Sequence, residues 1–256
     1  MTETRFMTRP LLPALAAMAT LALPAQAFDL ENMTDAERDA FRTEIRDYLL
    51  ENPEVIMEAV AVLEQRETAA QAESDVQMIE DHAEAIFNDD HSWVGGNPEG
   101  DLTLVEFMDY RCGYCRRAAP DVDDLVEFDG NIRFVIKEFP ILGEQSMTSA
   151  RFAIATKQVA GDDAYKDVHD ALITFGGDID ETALTRISET LGLDTDAILA
   201  QMESPDVTEV IAENHQLAKS LGISGTPSFV MGDQMLRGYV PREQMEVIAA
   251  EIRADS

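Results

Sequence analysis

The chain has 256 residues, 45% of them apolar, which is enough for one or two domains with a real core. Its 27% of charged residues, 14 Gly and 10 Pro exclude a disordered or collagen-like chain. With 19 Lys and Arg against 50 Asp and Glu the net charge is −31; such a chain repels phosphate, which excludes nucleic acid as a partner and argues against docking on anionic lipid, and it suits a saline medium where screening relieves self-repulsion.

In chain order, residues 1–27 read as a cleavable secretory signal. Arg5 and Arg9 make a basic start, Leu11 to Leu23 is an apolar run too short to span a bilayer comfortably, and Ala25-Gln26-Ala27 is a small-x-small cleavage site. A membrane anchor would need a longer run without that site. The expected location is periplasmic, where disulfides persist.

Residues 28–90 read as a helical arm. Thr34 with Glu37 is a capping-box signature, and Phe41, Ile45, Tyr48 and Leu49 then share one face. Asn52-Pro53 restarts the helix, with a second face at Val55, Ile56, Ala59, Val60 and Leu63. Residues 64–75 lose that face. Val76, Ile79, Ala83 and Ile86 restore it at the spacing of a coiled-coil seam. An oligomerisation arm is preferred to a helix lying on its own domain, because residues 64–75 have little to pack.

Gly95-Gly96-Asn97-Pro98 and Gly100 predict a loop over 91–100. Leu102–Met108 and Ile132–Ile136 predict buried strands, with a helix over 113–128 between them. Residues 145–222 carry helical periodicity broken at Gly161, Gly176-Gly177, Gly192 and Pro205. Two short strands around Gly232-Asp233 predict a hairpin, and residues 241–254 a closing helix. A β-α-β unit and a β-β-α unit around one sheet, with a helical block inserted, satisfy this order.

The two cysteines stand in Cys112-Gly113-Tyr114-Cys115, after a predicted strand and at the start of a predicted helix. Free N–H groups and the macrodipole favour thiolate at Cys112, and Arg111 and Arg116 add to this. Cys115, one turn in, is placed to attack a mixed disulfide on Cys112. A structural bridge over so short a loop would constrain little of the unfolded chain. Structural zinc asks for four ligands, and His82, His91, His169 and His215 stand at no ligand spacing and read mostly as solvated helix residues. Pro120 should kink the helix. Thr226-Pro227 before a strand is a place where a cis bond is cheap, although a plain strand-start proline reads the same way.

Cys112-Gly113-Tyr114-Cys115 with Pro120, and Thr226-Pro227 far along the chain, resemble the active-site helix and cis-proline loop of the DsbA family of thiol–disulfide oxidoreductases. Val105-Glu106-Phe107 and Lys137-Glu138-Phe139-Pro140 are similar to strand segments of that family. The stretch Ile45 to Leu63 resembles the N-terminal helices of its ScsC-like subgroup, linked to copper tolerance, in which such an arm can drive trimer formation. The resemblance implies an α/β thioredoxin-like fold at 91–140 and 223–256, a helical insertion at 141–222, and the arm at 28–90. It implies Cys112 as nucleophile, Cys115 as resolving thiol, Pro227 as the cis proline and Thr226 as its substrate-contacting neighbour. It makes Glu106 and Lys137 a buried charged pair near Cys115 that could relay its proton; an ordinary surface ion pair is the alternative, and the apolar strand around Glu106 favours burial.

Gly-Tyr between the cysteines departs from the Pro-His of the strongly oxidising DsbA. With Thr before the proline it resembles the isomerase DsbC. The expected activity is thiol–disulfide exchange on unfolded or misfolded secreted proteins, in the isomerase or reductase direction, with a dithiol oxidase as the runner-up. No cofactor is expected beyond the redox-active Cys112–Cys115 disulfide, and no metal. Expected partners are a membrane redox protein and further copies of the chain, a trimer being one option. A Cu(I)-binding protein using the two thiolates, or a holdase gripping clients with its arm, are the readings from other classes.

Overall fold

A computed structural model describes residues 32–255; the signal expected at 1–27 lies outside them. The described residues divide into two compact units, with the boundary between Ala61 and Val62.

In the first unit, α1 (Asp35–Glu51) starts on the expected capping box: the Thr34 hydroxyl accepts from Glu37 N–H and the Glu37 carboxylate accepts from Thr34 N–H. It ends at Asn52, and α2 (Glu54–Asp81) follows Pro53. No residue of α1 is buried. Phe41, Ile45, Tyr48, Leu50, Ile56, Met57 and Val60 are all exposed.

The second unit holds a five-stranded sheet in the order β1-β3-β2-β4-β5. The central strands β2 (Leu102–Met108) and β3 (Ile132–Glu138) are parallel; β1 (Trp93–Gly96), β4 (Ser228–Met231) and β5 (Gln234–Arg237) join antiparallel. Residues alternate between faces along each strand. Leu104, Met108, Phe134, Ile136, Phe229 and Met231 point to one core, shared with α4 (Gly113–Asp129), α10 (Arg242–Asp255) and the helical block. Val105, Phe107, Val135 and Val230 point to a second core, closed by Ile79, by Ile86 of α3 (Ala83–Phe87), and by Leu217 and Leu221. This is a thioredoxin-like α/β fold with a helical block inserted after β3.

That block is α5 (Glu144–Ala160), α6 (Asp162–Thr174), α7 (Glu181–Leu191), α8 (Thr195–Met202) and α9 (Pro205–Ser220), with breaks where glycine or proline stands. Asp180, Asp194 and Ser204 cap the last three by accepting from Ala183, Ala197 and Val207 N–H.

Three expectations change. The loop at 91–100 contains β1, which pairs Trp93 with Ile136 and Gly96 with Arg133. Its glycines, read as loop signals, are required by close packing: a Cβ on Gly95 would run into the Trp93 ring. The seam at 76–86 packs on this unit's own sheet, since Ile79 and Ile86 are buried in the second core. Spacing reveals an apolar face without naming what covers it. His169, read as solvated, is buried against Tyr110. Helix α4 continues through Pro120 to Gly130, which ends it with φ +68°.

Candidate active site

Strand β2 ends at Met108, and the turn after it is held by Asp109. Its buried carboxylate accepts from Arg111 N–H at 2.8 Å, and from Ile141 and Leu142 N–H at 2.8 and 3.0 Å. One side chain thereby ties the turn before the cysteines to the loop after β3. Cys112 is the N-cap of α4. The helix buries Cys115, Ala118, Val122 and Leu125 at helical spacing, which brings Cys115 onto the sheet. Tyr114, between the cysteines, is 62% exposed.

The Thr226-Pro227 bond is cis, and it brings the Thr226 carbonyl within 3.1 Å of Cys112 Sγ, which donates to it. Pro227 O accepts from Gly238 N–H at 2.9 Å, and the Ser228 hydroxyl donates to Gly225 O. Both cysteines are free thiols. The Cys115 thiol donates to Cys112 and, with the Thr226 side chain and the N–H groups of Cys115 and Tyr114, brings Cys112 down to about 5 against the opposing effect of burial. Cys115 is pushed far up by that same bond, by burial and by the Glu106 charge. At neutral pH Cys112 is therefore a thiolate, 7% exposed, and Cys115 a thiol beneath it; the donation to Thr226 O belongs to the protonated form of Cys112.

Behind Cys115 lies a cavity of about 10 Å³, lined by Cys115, Glu106, Asp123 and His169 among others, about the space of one water. Glu106 is 5% exposed. Burial, then the charges of Asp123, Cys112 and Glu138, raise its carboxyl to about 8. Glu138 is also raised to about 8 by burial, while accepting from the Tyr110 and Tyr165 hydroxyls at 2.7 and 2.6 Å. Burial lowers His169 to about 4, so it is neutral. A base poised near neutrality beside a deeply protonated thiol can take the proton that thiol loses when it attacks.

Lys137 does not take part. In the parallel register Glu106 lies opposite Ile136 and Phe107 opposite Lys137. Lys137 therefore points to the second core, where its ammonium pairs with Asp89 and donates to Ala85 O. The expected Glu106–Lys137 pair is corrected: Glu106 faces the cysteines without it, and the partner of Lys137 comes from the loop after α3. Burial lowers the ammonium while the Asp89 charge raises it. The structure thus brings together Cys112, Cys115, Thr226, Pro227 and Glu106, and leaves Lys137 on the other face.

Asp109, Tyr110, Asp123, Glu138, Tyr165 and Asp89 were not singled out by sequence. For Glu138 a signal existed: like Glu106 it is an acid in an apolar strand, here at the last position. No group of three or more His, Cys, Asp or Glu side chains is arranged to hold a metal among the described residues. The two thiolates of the Cu(I) reading are fewer than such a group.

Residues 103–250 match the family model of the DSBA-like thioredoxin domain, and residues 37–70 that of the copper resistance protein ScsC N-terminal domain. A thioredoxin-like oxidoreductase from Silicibacter pomeroyi is 44% identical, with a TM-score of 0.63 over 67% of this chain and 97% of that one. Proteus mirabilis ScsC in a transitional conformation is 27% identical, with a TM-score of 0.64 over 88% of this chain and 100% of that one. A Na(+)/H(+) antiporter NhaA of Salinispora arenicola is 31% identical over 150 residues, which are 58% of this chain and 23% of the antiporter. The chain thus spans about a quarter of the length of the curated relatives it first matches. No described helix is long and apolar enough to cross a membrane.

Proposed function

The chain belongs to the DSBA-like thioredoxin family, and on that premise we propose that it carries out thiol–disulfide exchange, reshuffling disulfides of unfolded or misfolded exported proteins in the periplasm. The observation that carries the exchange chemistry common to both directions is Cys112 at the start of α4, lowered to about 5, with a protonated Cys115 directly beneath. Cys112 attacks a client disulfide, the displaced client sulfur leaves as thiolate, and the mixed disulfide persists until a client thiol or Cys115 attacks it. The first route isomerises. The second releases a reduced client and leaves the Cys112–Cys115 disulfide, the one redox group the chemistry needs, to be reset by a membrane redox partner.

The exposed apolar side chains of α1 and early α2 support a homo-oligomer, a trimer among the options. Several active sites facing one client raise effective concentration and favour isomerisation. Oxidation is the second reading, and the depressed Cys112 thiol favours it, since a stabilised thiolate makes its disulfide more oxidising. Reactivation of scrambled ribonuclease by the protein alone separates the two: isomerase predicts reactivation, while oxidase predicts rapid oxidation of reduced ribonuclease without it. Cys112→Ser should abolish both, and exchange surviving in that variant refutes the mechanism.

A further inference from the structure

Arg111, Arg116 and Arg117 crowd the redox centre of a chain with 19 basic and 50 acidic residues. None of the three makes an ion pair within 4.0 Å among the described residues. Arg242, Arg253 and Lys166, farther from the cysteines, each take a carboxylate. The first turn of α4 holds no acid. The nearby carboxylates are engaged elsewhere: Asp109 on three backbone N–H groups, Asp121 on the Tyr239 hydroxyl at 2.6 Å, and Asp178 on Gln145.

The three guanidiniums flank the Cys112–Cys115 turn in sequence and are anchored on different elements. Arg111 donates to Gly177 O at 2.8 Å, in the turn between α6 and α7. Arg116 donates to Tyr110 O at 2.9 Å; burial, then the Arg111 charge, lowers its guanidinium against the opposing Asp109 charge, so the two cations lie near each other. Arg117 lies over the Tyr239 ring, 4.6 Å from its centroid. The residue before Tyr239, Gly238, is the one hydrogen-bonded to Pro227. A chain entering at Cys112 and Thr226 thus has cations toward the inserted helices on one side and a cation beside the proline loop on the other.

We propose that this cationic rim selects client segments whose cysteine is flanked by Asp or Glu. The proposal rests on the exchange reading above and names its substrate class. Contact pairs form at about 3 to 4 Å, inside the screening length of about 8 Å at physiological ionic strength, while the repulsion from the distant acidic surface is largely screened. Near Cys112 the local sign of charge therefore prevails over the net sign.

The test uses the reduced full-length protein and three peptides, each carrying one cysteine in a mixed disulfide with thionitrobenzoate. The flanks are Glu, Gln or Lys. Cys112 thiolate attacks the peptide sulfur, the peptide–aryl S–S bond breaks, and the coloured arylthiolate leaves with the electron pair. Cys115 then loses its proton, displaces the peptide thiolate and closes the protein disulfide. At 0.15 M salt the Glu peptide is expected to react about three- to tenfold faster than the Lys peptide, with Gln between. Each protein serves as its own reference, so the Glu-to-Gln ratio removes changes in thiolate reactivity. That ratio should fall toward one in R111Q/R116Q/R117Q and partway in R117Q, whose exposed side chain makes the triple variant's folding separable. Equal rates, a faster Lys peptide, or a Glu preference that survives in the triple variant would overturn the selection while leaving exchange standing. No aryl release from any peptide would overturn the exchange reading and the selection together.

Discussion

Replacing Glu106 by glutamine is expected to stabilise the reduced protein at neutral pH and to slow the second half of exchange. The carboxyl is buried and raised from 4.5 to about 8, first by burial and then by the charges of Asp123, Cys112 and Glu138. Between those two values the folded protein holds a proton that the unfolded chain has lost. Stability therefore falls as pH rises through this window and levels off above it. At pH 7 the cost is about 3 kcal/mol, at about 1.4 kcal/mol for each pH unit above the unfolded value. Glutamine copies the shape of the protonated acid and cannot ionise. Its advantage should be near zero at pH 4 and reach about 3 kcal/mol at pH 7, a rise of about 1 to 2 M in the urea midpoint. The same variant lacks the base beside Cys115, so the mixed disulfide on Cys112 should decay about a hundredfold more slowly. Its decay rate should lack the rise toward pH 8 expected of the parent. Urea unfolding at pH 4, 7 and 8.5 with quenched-flow trapping reads both effects. A stability difference that does not change with pH would mean Glu106 ionises normally, and the argument would be wrong.

Alkylation of Cys112 by iodoacetamide should follow a midpoint near pH 5, complete above and lost below, with Cys115 unreactive throughout; a midpoint above pH 8 in peptide mass analysis would contradict the hydrogen bonds to Cys112. Lys137→Met leaves Asp89 without its ammonium and should lower stability by about 3 to 5 kcal/mol in urea unfolding while keeping the Cys112 alkylation midpoint, because the two lie on opposite faces of the sheet. Ile45→Glu with Val60→Glu should reduce the mass seen by light scattering to that of one chain and abolish ribonuclease reactivation, with little loss of folding stability since both positions are exposed; an unchanged mass would remove the arm as the site of association.

Much of the site is legible in local chemistry. The cysteine spacing, a strand before it and a helix after it specify a thiol at a helix start, because those signals act within one turn of chain. Thr226-Pro227 before a strand is similarly local. The capping box at Thr34 and the breaks in the helical block depend on neighbouring residues, and the structure has them where the sequence implies. What no short segment carries is which side of the sheet a strand residue faces. In β2 and β3 that depends on a parallel register, and moving it by one residue would exchange the faces. Sequence alone makes Glu106 and Lys137 two buried charges. Only the register separates them, giving Glu106 to the cysteines and Lys137 to Asp89.

The same division holds for the apolar faces and the glycines. Sequence by itself determined a cysteine pair at a helix start, the order of strands and helices from β2 onward, the acidic balance and the apolar faces of the arm. Tertiary structure decided that Ile79 and Ile86 cover the sheet, that Trp93–Gly96 pairs with β3, and that Asp109 joins the active-site turn to the loop after β3. Helix starts and turns are set by atoms a few residues apart, whereas these contacts depend on segments that meet only after the chain has folded.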